Sequence, residues 1–135
     1  CIPFGRARIV AEGADITVVT NSMMTIKAEK AVRQLQKEGI SAELIDLRTI
    51  VPLDTETIIR SVKKTGKLLI VDEGHLSFGI TGEIASRIMP DVFYDLDAPI
   101  QRMGTADVPL PFSPALEFPL IPDEKKIAAK IREMV

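Results

Sequence analysis

The chain has 135 residues, of which 46% are hydrophobic and 27% charged, and its formal net charge is −2 at neutral pH. This length and composition are typical of one globular domain with its own core. The net charge gives no basic surface for nucleic acid, and the sequence contains no apolar run long enough for a membrane span. The single cysteine, Cys1, cannot form an internal disulfide, which fits a reducing compartment.

The first third of the chain predicts two strands, a helix and a third strand. Apolar segments at 7–11 and 16–19 predict the two strands. Apolar residues then recur at helical spacing up to Gly39, which suits the left-handed residue that ends many helices. Residues 42–45 predict the third strand. The helix has Asn21 and Ser22 as candidate N-caps, and its apolar face is formed by Ala28, Ala31, Val32 and Leu35.

A second helix is expected between Asp54 and Gly66. Asp54 has the side chain of an N-cap, and Leu53 and Ile58 occupy the two positions of a hydrophobic staple. Gly66 suits the left-handed conformation that follows a helix. These signals predict both ends of the helix from local chemistry alone.

Residues 67–85 are the stretch around which the remaining elements are arranged. Four consecutive apolar residues, 68–71, predict a strand that is buried on both faces. Gly74, Gly79 and Gly82 predict a turn after this strand, and a third helix is expected to close near Pro90.

The last third predicts a strand, an arm and a helix. Residues 99–103 predict the strand. Residues 104–122 contain five prolines, so they are expected to wrap the surface of the same domain as an extended arm. Asp123 is the expected cap of the final helix. Strands that alternate with helices in this way predict an α/β domain with a mostly parallel sheet and helices on both faces.

Polar residues that follow two of the strands are candidates for a ligand or interface site. Asp46 and Arg48 follow the third strand, and Asp72, Glu73 and His75 follow the fourth. Ligands of open α/β sheets bind at the carboxyl ends of the strands. For Asp46 and Arg48 the alternative is a structural ion pair. For His75, the only histidine, the alternative is a surface or interface role, because no Ser or Cys nucleophile accompanies it.

No other motif predicts a self-sufficient active site. The glycine spacing is neither that of a P-loop nor that of a dinucleotide-binding fingerprint. One histidine, one cysteine and scattered acids give no metal-ligand spacing, so we predict no metal-binding residue in the chain.

A set of ordered segments matches a known family. The segments are Ile2-Pro3-Phe4-Gly5, Ala7, Glu12-Gly13, Ile16-Thr17-Val18-Val19, Asp46-Leu47-Arg48-Thr49-Ile50, Pro52-Leu53-Asp54, Ser61-Val62-Lys63-Lys64-Thr65-Gly66, Phe78-Gly79, Gly82-Glu83-Ile84-Ala85, Leu96-Asp97-Ala98-Pro99, Asp107 with Pro109 and Pro111, Leu116-Glu117 and Ile121-Pro122. The opening segments resemble the carboxyl-terminal domain of transketolase-like enzymes. The later ones resemble, more narrowly, that domain of the beta subunit of the thiamine-diphosphate-dependent decarboxylating component of 2-oxo acid dehydrogenases, of which the acetoin dehydrogenase beta subunit is a close relative.

The resemblance implies a three-layer α/β/α domain over residues 1–135, with a five-stranded, mostly parallel sheet whose first strand is antiparallel. It implies that thiamine diphosphate and magnesium serve the whole enzyme. Their site and the catalytic glutamate belong to an amino-terminal half that we expect to lie outside this chain, which does not begin with Met. We therefore expect this chain to bind no cofactor and to be inactive alone. Family members vary at the Gly74-His75 position, so the resemblance gives His75 no shared catalytic role.

The partners that the resemblance implies are the amino-terminal half of the same subunit, the alpha subunit, a second beta subunit and the dihydrolipoyl acyltransferase. We expect a homodimer in the cytoplasm, or in the mitochondrial matrix of a eukaryote. The acidic residues Asp97, Asp107 and Glu133, with the terminal carboxylate of Val135, are candidate contacts for basic residues of the acyltransferase.

Two other functions stay open at this level. One is an independent catalytic or effector-binding domain with its site at the strand ends. The other is the tail of a transketolase or deoxyxylulose-phosphate synthase, which the proline-rich arm disfavours. Pyruvate, branched-chain 2-oxo acids and acetoin are equally compatible substrates of the whole enzyme.

Overall fold

The computed structural model describes residues 6–21, 23–48, 53–75, 80–105 and 123–135. Within them, five strands alternate with four α-helices and one short 3₁₀ helix. The strands are β1 (Arg8–Ala11), β2 (Ile16–Thr20), β3 (Ala42–Asp46), β4 (Leu68–His75) and β5 (Gln101–Thr105). The helices are α1 (Met23–Lys37), α2 (Thr55–Thr65), α3 (Ile80–Val92), the 3₁₀ helix Phe93–Asp95 and α4 (Glu124–Met134).

The five strands form one mixed sheet in the order β1-β3-β2-β4-β5. β1 is antiparallel to β3, and the other neighbours are parallel. In the centre, Val18 is level with Leu44 on one side and with Leu69 on the other. The expected α/β class and the antiparallel first strand are therefore confirmed.

Two apolar cores cover the two faces of the sheet and give three layers. α1 and α4 pack on one face, where Leu35 and Ile131 lie with Val18 and Leu44. α2 and α3 pack on the other face, where Ile58 lies in the same core as Ile84, Ile88, Val19 and Ile70. Because strand side chains alternate between faces, consecutive apolar residues of one strand supply both cores, which explains their unbroken apolar runs.

Helix α2 begins and ends where the sequence predicts. The Asp54 carboxylate accepts a hydrogen bond from the backbone N–H of Thr57 at 3.2 Å. Leu53 and Ile58 lie in the same apolar core, as a hydrophobic staple requires. Gly66 adopts φ 78°, and its N–H donates to the Val62 carbonyl. Gly39, after α1, likewise has φ 87°.

The fourth strand is longer than predicted. The expected end of the strand at Val71 is wrong, because β4 continues to His75 and stays paired with β5, with His75 level with Thr105 beyond an irregularity in register. Gly74 thus lies in a strand. Gly79, also assigned to the turn, lies outside the described residues. Gly82 lies in the first turn of α3 and not in a turn before it.

Two other boundaries lie within two residues of their predicted positions. α3 ends at Val92, two residues beyond Pro90, so it closes near the proline as expected. β5 covers Gln101–Thr105 and not 99–103, because pairing with β4 sets its limits. The first two residues of the predicted arm, 104 and 105, therefore belong to β5. Residues 106–122, with Asp107, and the predicted cap Ser22 lie outside the described residues. No helix in the described ranges is long and apolar enough to cross a membrane.

Candidate functional site

The candidate residues fall at two opposite edges of the sheet. The parallel strands end together at one edge, which holds Asp46 and Arg48. At the other edge, where the parallel strands begin, Asp97 donates its backbone N–H to the Gly66 carbonyl at 2.8 Å, just before β4. The structure therefore divides the predicted residues into a carboxyl-edge group and an amino-edge group.

At the carboxyl edge, Arg48 has a strained backbone. Its φ is 60°, a left-handed value that is uncommon for residues other than glycine. The turn is held by a hydrogen bond of 3.2 Å from the Arg48 N–H to Asp46 Oδ1 and by one of 3.0 Å from the Leu47 N–H to the Thr20 carbonyl. Within the described part of the chain, Asp46 and Arg48 are joined by this backbone contact and not by the ion pair that the sequence suggested.

Of the β4 candidates, Asp72 lies on the other face of the sheet from Asp46. Glu73 and His75 belong to β4 and not to a turn. Asp72 follows Val71, which faces the α1 and α4 core, so the alternation of the strand places Asp72 on the α2 and α3 side. By the same rule Asp46 lies on the α1 side. No group of three His, Cys, Asp or Glu residues suited to a metal ion occurs among the described residues.

At the amino edge, helix α4 brings the end of the chain to the same side as Asp97. The Arg132 guanidinium donates to both carboxylate oxygens of Glu38, at 2.8 and 2.6 Å, and so fixes the end of α4 beside the end of α1. Hydrogen bonding to Arg132 lowers the pKa of Glu38. The Glu133 side chain is 72% exposed, and Val135 is also exposed. Three of the four predicted docking residues thus share one edge.

A buried carboxylate, which the sequence analysis missed, also lies near this edge. Glu43 in β3 is only 3% exposed, although it carries a charge between apolar neighbours. Its carboxylate accepts hydrogen bonds from Lys64 Nζ, the Ser61 hydroxyl and the Gly13 N–H. Glu43 stands among the apolar residues of a short strand, and this pattern in the sequence would have predicted a buried carboxylate with hydrogen-bond partners.

The hydrogen bonds decide the charge state of Glu43. Burial acts to raise the pKa of this carboxyl, but the bonds from Lys64, Ser61 and Gly13, with the charge of Lys64, lower it below its ordinary value. A second contact joins the same helix to the sheet, since the Thr17 hydroxyl lies 2.7 Å from the Ser61 hydroxyl. Glu43 is therefore an ionised structural link between β3 and α2.

These features define a class of protein, a three-layer α/β domain built on one mixed sheet whose first strand is antiparallel. The chain belongs to the family described as "Transketolase, C-terminal domain", whose profile matches residues 5–127. The match covers most of the chain and agrees with the observed sheet.

Relatives with related activities match along nearly the whole chain. The chain is 47% identical over 133 residues to a protein of Rickettsia felis named pyruvate dehydrogenase E1 component subunit beta, covering 98% of this chain and 41% of the relative. It is 42% identical over 132 residues to the acetoin:2,6-dichlorophenolindophenol oxidoreductase subunit beta of Cupriavidus necator, covering 98% and 39%. The chain therefore spans about two fifths of the length of these relatives.

A solved structure shows the same architecture. It is a split-gene transketolase described as an inactive beta4 tetramer, which matches with a TM-score of 0.78 and 26% identity over 98% of this chain and 42% of that chain. The agreement in fold extends across the whole described domain.

Proposed function

We propose that this chain is the assembly domain of the beta subunit of a thiamine-diphosphate-dependent 2-oxo acid or acetoin dehydrogenase, an oxidoreductase that works only as a whole enzyme. The observation that carries the proposal is the similarity to such beta subunits along 98% of the chain. The names of these relatives differ in substrate, so the proposal covers the class and not one acyl substrate. On this proposal the protein works in the cytoplasm, or in the mitochondrial matrix of a eukaryote.

We place the chemistry outside this chain. Thiamine diphosphate is held in proteins through its diphosphate and a divalent cation, which needs several oxygen ligands together. The described residues bring no such ligand group together, and the most buried carboxylate, Glu43, is already bonded to Lys64 and Ser61. These donors do not fit the cofactor and its magnesium, so we assign decarboxylation and acyl transfer to the rest of the enzyme.

A calorimetric titration tests this placement. Thiamine diphosphate with magnesium is titrated into the 135-residue chain, and then into the chain combined with the alpha subunit and the amino-terminal half of the beta subunit. We expect heat of binding only from the combination. Saturable binding to the chain alone would contradict the assignment of the cofactor to the other parts.

We further propose that the amino edge docks the dihydrolipoyl acyltransferase. Asp97, Glu133 and the carboxylate of Val135 lie at this edge and are exposed, so they present negative charge to basic residues of a partner. Asp107 belongs to the same proposal on the basis of sequence alone. Such rim charges chiefly raise the association rate and make binding sensitive to salt.

Charge reversal with a matched control tests the docking surface. The double variant Asp97→Lys/Glu133→Lys is compared with Glu56→Lys/Glu83→Lys, which makes the same change of charge near the carboxyl edge, in the first turns of α2 and α3. We expect the first variant alone to weaken acyltransferase binding by about tenfold or more. Equal losses in both variants would show a non-specific charge effect and contradict a docking surface at the amino edge.

A second candidate function is an effector site at the carboxyl edge, which one observation favours. The strained backbone of Arg48 lies beside Asp46, and strain of this kind is found most often at functional positions. On the basis of sequence the site would also include Glu73 and His75, whereas Asp72, which the sequence also assigned to it, lies on the other face of the sheet. Because Arg48→Gly relieves the strain and removes the guanidinium, it should stabilise the domain by about 1 kcal/mol and abolish binding of carboxylate ligands. Unchanged ligand binding in this variant would exclude Arg48 from such a site.

A further inference from the structure

Helices α1 and α4 form a basic layer on one face of the sheet. Together they carry eight lysine and arginine residues against three acidic residues, whereas the rest of the chain has nine basic and sixteen acidic residues. The net charge of −2 is therefore the sum of a basic layer and an acidic remainder. A surface with an excess of positive charge attracts anionic ligands and raises their local concentration.

A groove lies between α1 and α4 in this layer. Its volume is about 320 Å³, and all of the residues that line it belong to these two helices. That volume is at the lower end of the range of small-molecule sites, about 300–1,000 Å³. Ala31 of α1 and Ala128 of α4 are buried and form its floor, since their side chains are single methyl groups. The groove therefore offers an apolar floor with room above it for a small ligand.

Two lysines from different helices stand at the rim of the groove. Lys30 on α1 and Lys125 on α4 both line it and are exposed. Among the described residues neither has an acidic partner, whereas Lys130 of α4 pairs with Glu133 at 3.8 Å. Two ammonium groups that line one groove and are not neutralised there suit an anion with several acceptor oxygens, such as a phosphate.

Arg132 adds a cation whose orientation is fixed. Its Nε and Nη2 donate to the two carboxylate oxygens of Glu38, at 2.8 and 2.6 Å, so the third nitrogen, Nη1, takes no part in this pair. The Gln34 side chain also bonds to Glu38, and both Gln34 and Arg132 line the groove. Because Glu38 balances the charge of Arg132, this guanidinium contributes a directed donor, and the two lysines contribute the net charge. A donor that is already oriented loses little freedom on binding a ligand.

One acidic residue in the groove narrows the class of ligand. Glu124, in the first turn of α4, lines the groove together with the three cations and is exposed. A carboxylate repels a bare anion, but it accepts hydrogen bonds from hydroxyl groups, as acidic residues do for the ribose of bound nucleotides. A sugar phosphate has both halves of this pattern, since its phosphate needs cations and its hydroxyls need an acceptor.

We propose that the groove between α1 and α4 binds a phosphorylated sugar, either free or as the ribose phosphate of a mononucleotide. Lys30, Lys125 and Arg132 hold the phosphate. Glu124 accepts hydrogen bonds from the sugar hydroxyls, and the ring lies on the alanine floor. A ligand bound in this way ties α1 to α4 and stabilises the folded domain. This binding site adds to the proposed assembly role and does not depend on it.

Calorimetry with a series of ligands tests the chemistry of the groove. We expect ribose 5-phosphate to bind the 135-residue chain saturably. Ribose and inorganic phosphate should each bind about tenfold more weakly or worse, because each lacks one half of the contacts. Phosphate that binds as tightly as ribose 5-phosphate would show an adventitious ion only and overturn the proposal, as would a chain that binds none of the ligands.

Adenosine monophosphate distinguishes the two sources of the sugar phosphate. If it binds more tightly than ribose 5-phosphate, the base also contacts the groove and the ligand is a mononucleotide. If it binds equally or more weakly, the ligand is a free sugar phosphate. Both results support the shared chemistry.

A matched pair of double variants separates the groove from general attraction to a basic surface. Lys30→Gln/Lys125→Gln removes two charges from the rim. Lys37→Gln/Lys63→Gln makes the same change at two exposed lysines that do not line the groove. We expect the first variant to weaken binding of ribose 5-phosphate by about tenfold or more, and the second by less than about twofold. Equal losses would refute the site, and thermal unfolding without ligand checks that both variants fold.

A substitution at Glu124 tests how the groove selects a sugar. Glu124→Gln removes the repulsion of a bare anion and weakens the acceptor for hydroxyls. Inorganic phosphate should therefore bind more tightly to this variant than to the parent, and the preference for ribose 5-phosphate over phosphate should fall by about fivefold or more. A merely structural role of Glu124 would change both affinities in the same direction, and an unchanged preference would contradict its contact with the sugar.

Discussion

Replacement of Glu43 by alanine is the sharpest test of what holds α2 to the sheet. The carboxylate is buried and accepts bonds from Lys64, Ser61 and the Gly13 N–H, the last at 3.3 Å. The variant removes the acceptor that these three donors share. The Gly13 N–H is then left facing β3, and the Ser61 hydroxyl keeps its contact with Thr17.

The expected loss of stability follows from these contacts. Removal of one partner of a buried, hydrogen-bonded charge pair costs about 3–5 kcal/mol. Lys64 is half exposed and recovers part of its solvation in water, so we expect about 3 kcal/mol, at the lower end of that range. For a domain of this length, that loss lowers the melting temperature by about 10 °C.

Thermal and urea unfolding followed by circular dichroism measure the effect. Lys63→Ala is the matched control, because Lys63 is an exposed lysine on the same helix turn and should change the free energy of unfolding by less than about 0.5 kcal/mol. A loss below about 1 kcal/mol for Glu43→Ala would refute the view that this carboxylate is a structural link.

The same residue predicts a dependence on acid pH. Because the folded-state pKa of Glu43 is lowered, its contribution to stability is complete above the ordinary carboxyl pKa of about 4.3 and is lost as the pH falls through the folded-state pKa. Glu43→Gln, which cannot ionise, should be less stable than the parent at neutral pH and should lose less stability on acidification. Parallel pH profiles of the two proteins would contradict this assignment.

Five further substitutions, grouped in three tests, probe local features of the fold. Gly66→Ala and Gly39→Ala each place a Cβ at positive φ, which should lower the free energy of unfolding by about 1–2 kcal/mol. At Gly66 the added Cβ also meets the Asp97 carboxylate, so Gly66→Ala should cost more, and equal losses would contradict the packing at Gly66. Asp54→Ala should lower the free energy of unfolding by about 2 kcal/mol, because Asp54 accepts hydrogen bonds from Ala7 and from Thr57. Asp123→Ala should cost about 1 kcal/mol, because Asp123 caps α4 alone. The reverse order of the two losses in urea unfolding would contradict these roles. Thr17→Val should cost about 1 kcal/mol by the same assay, and a neutral result would remove the buried hydroxyl contact from the account of stability.

The boundaries that the sequence predicts correctly depend on chemistry within a few residues. Asp54 and Gly66 mark α2 because a side-chain cap and a left-handed glycine act on the backbone next to them. The end of β4 was predicted wrongly for the converse reason. Its last residues stay in a strand because β5, about 30 residues later, pairs with them, and no local signal reports that pairing.

The candidate surfaces also depend partly on residues that the sequence identifies and partly on contacts that only the folded chain makes. The apolar runs that build a sheet covered on both faces, and the acidic residues that the docking surface uses, can be identified from the sequence alone. Packing in three dimensions places Asp97 and Glu133 at the same edge of the sheet and brings Lys64 to Glu43. Those placements depend on contacts between residues that are far apart in the chain, and such contacts are set by how whole helices pack on the sheet rather than by any local preference of the backbone.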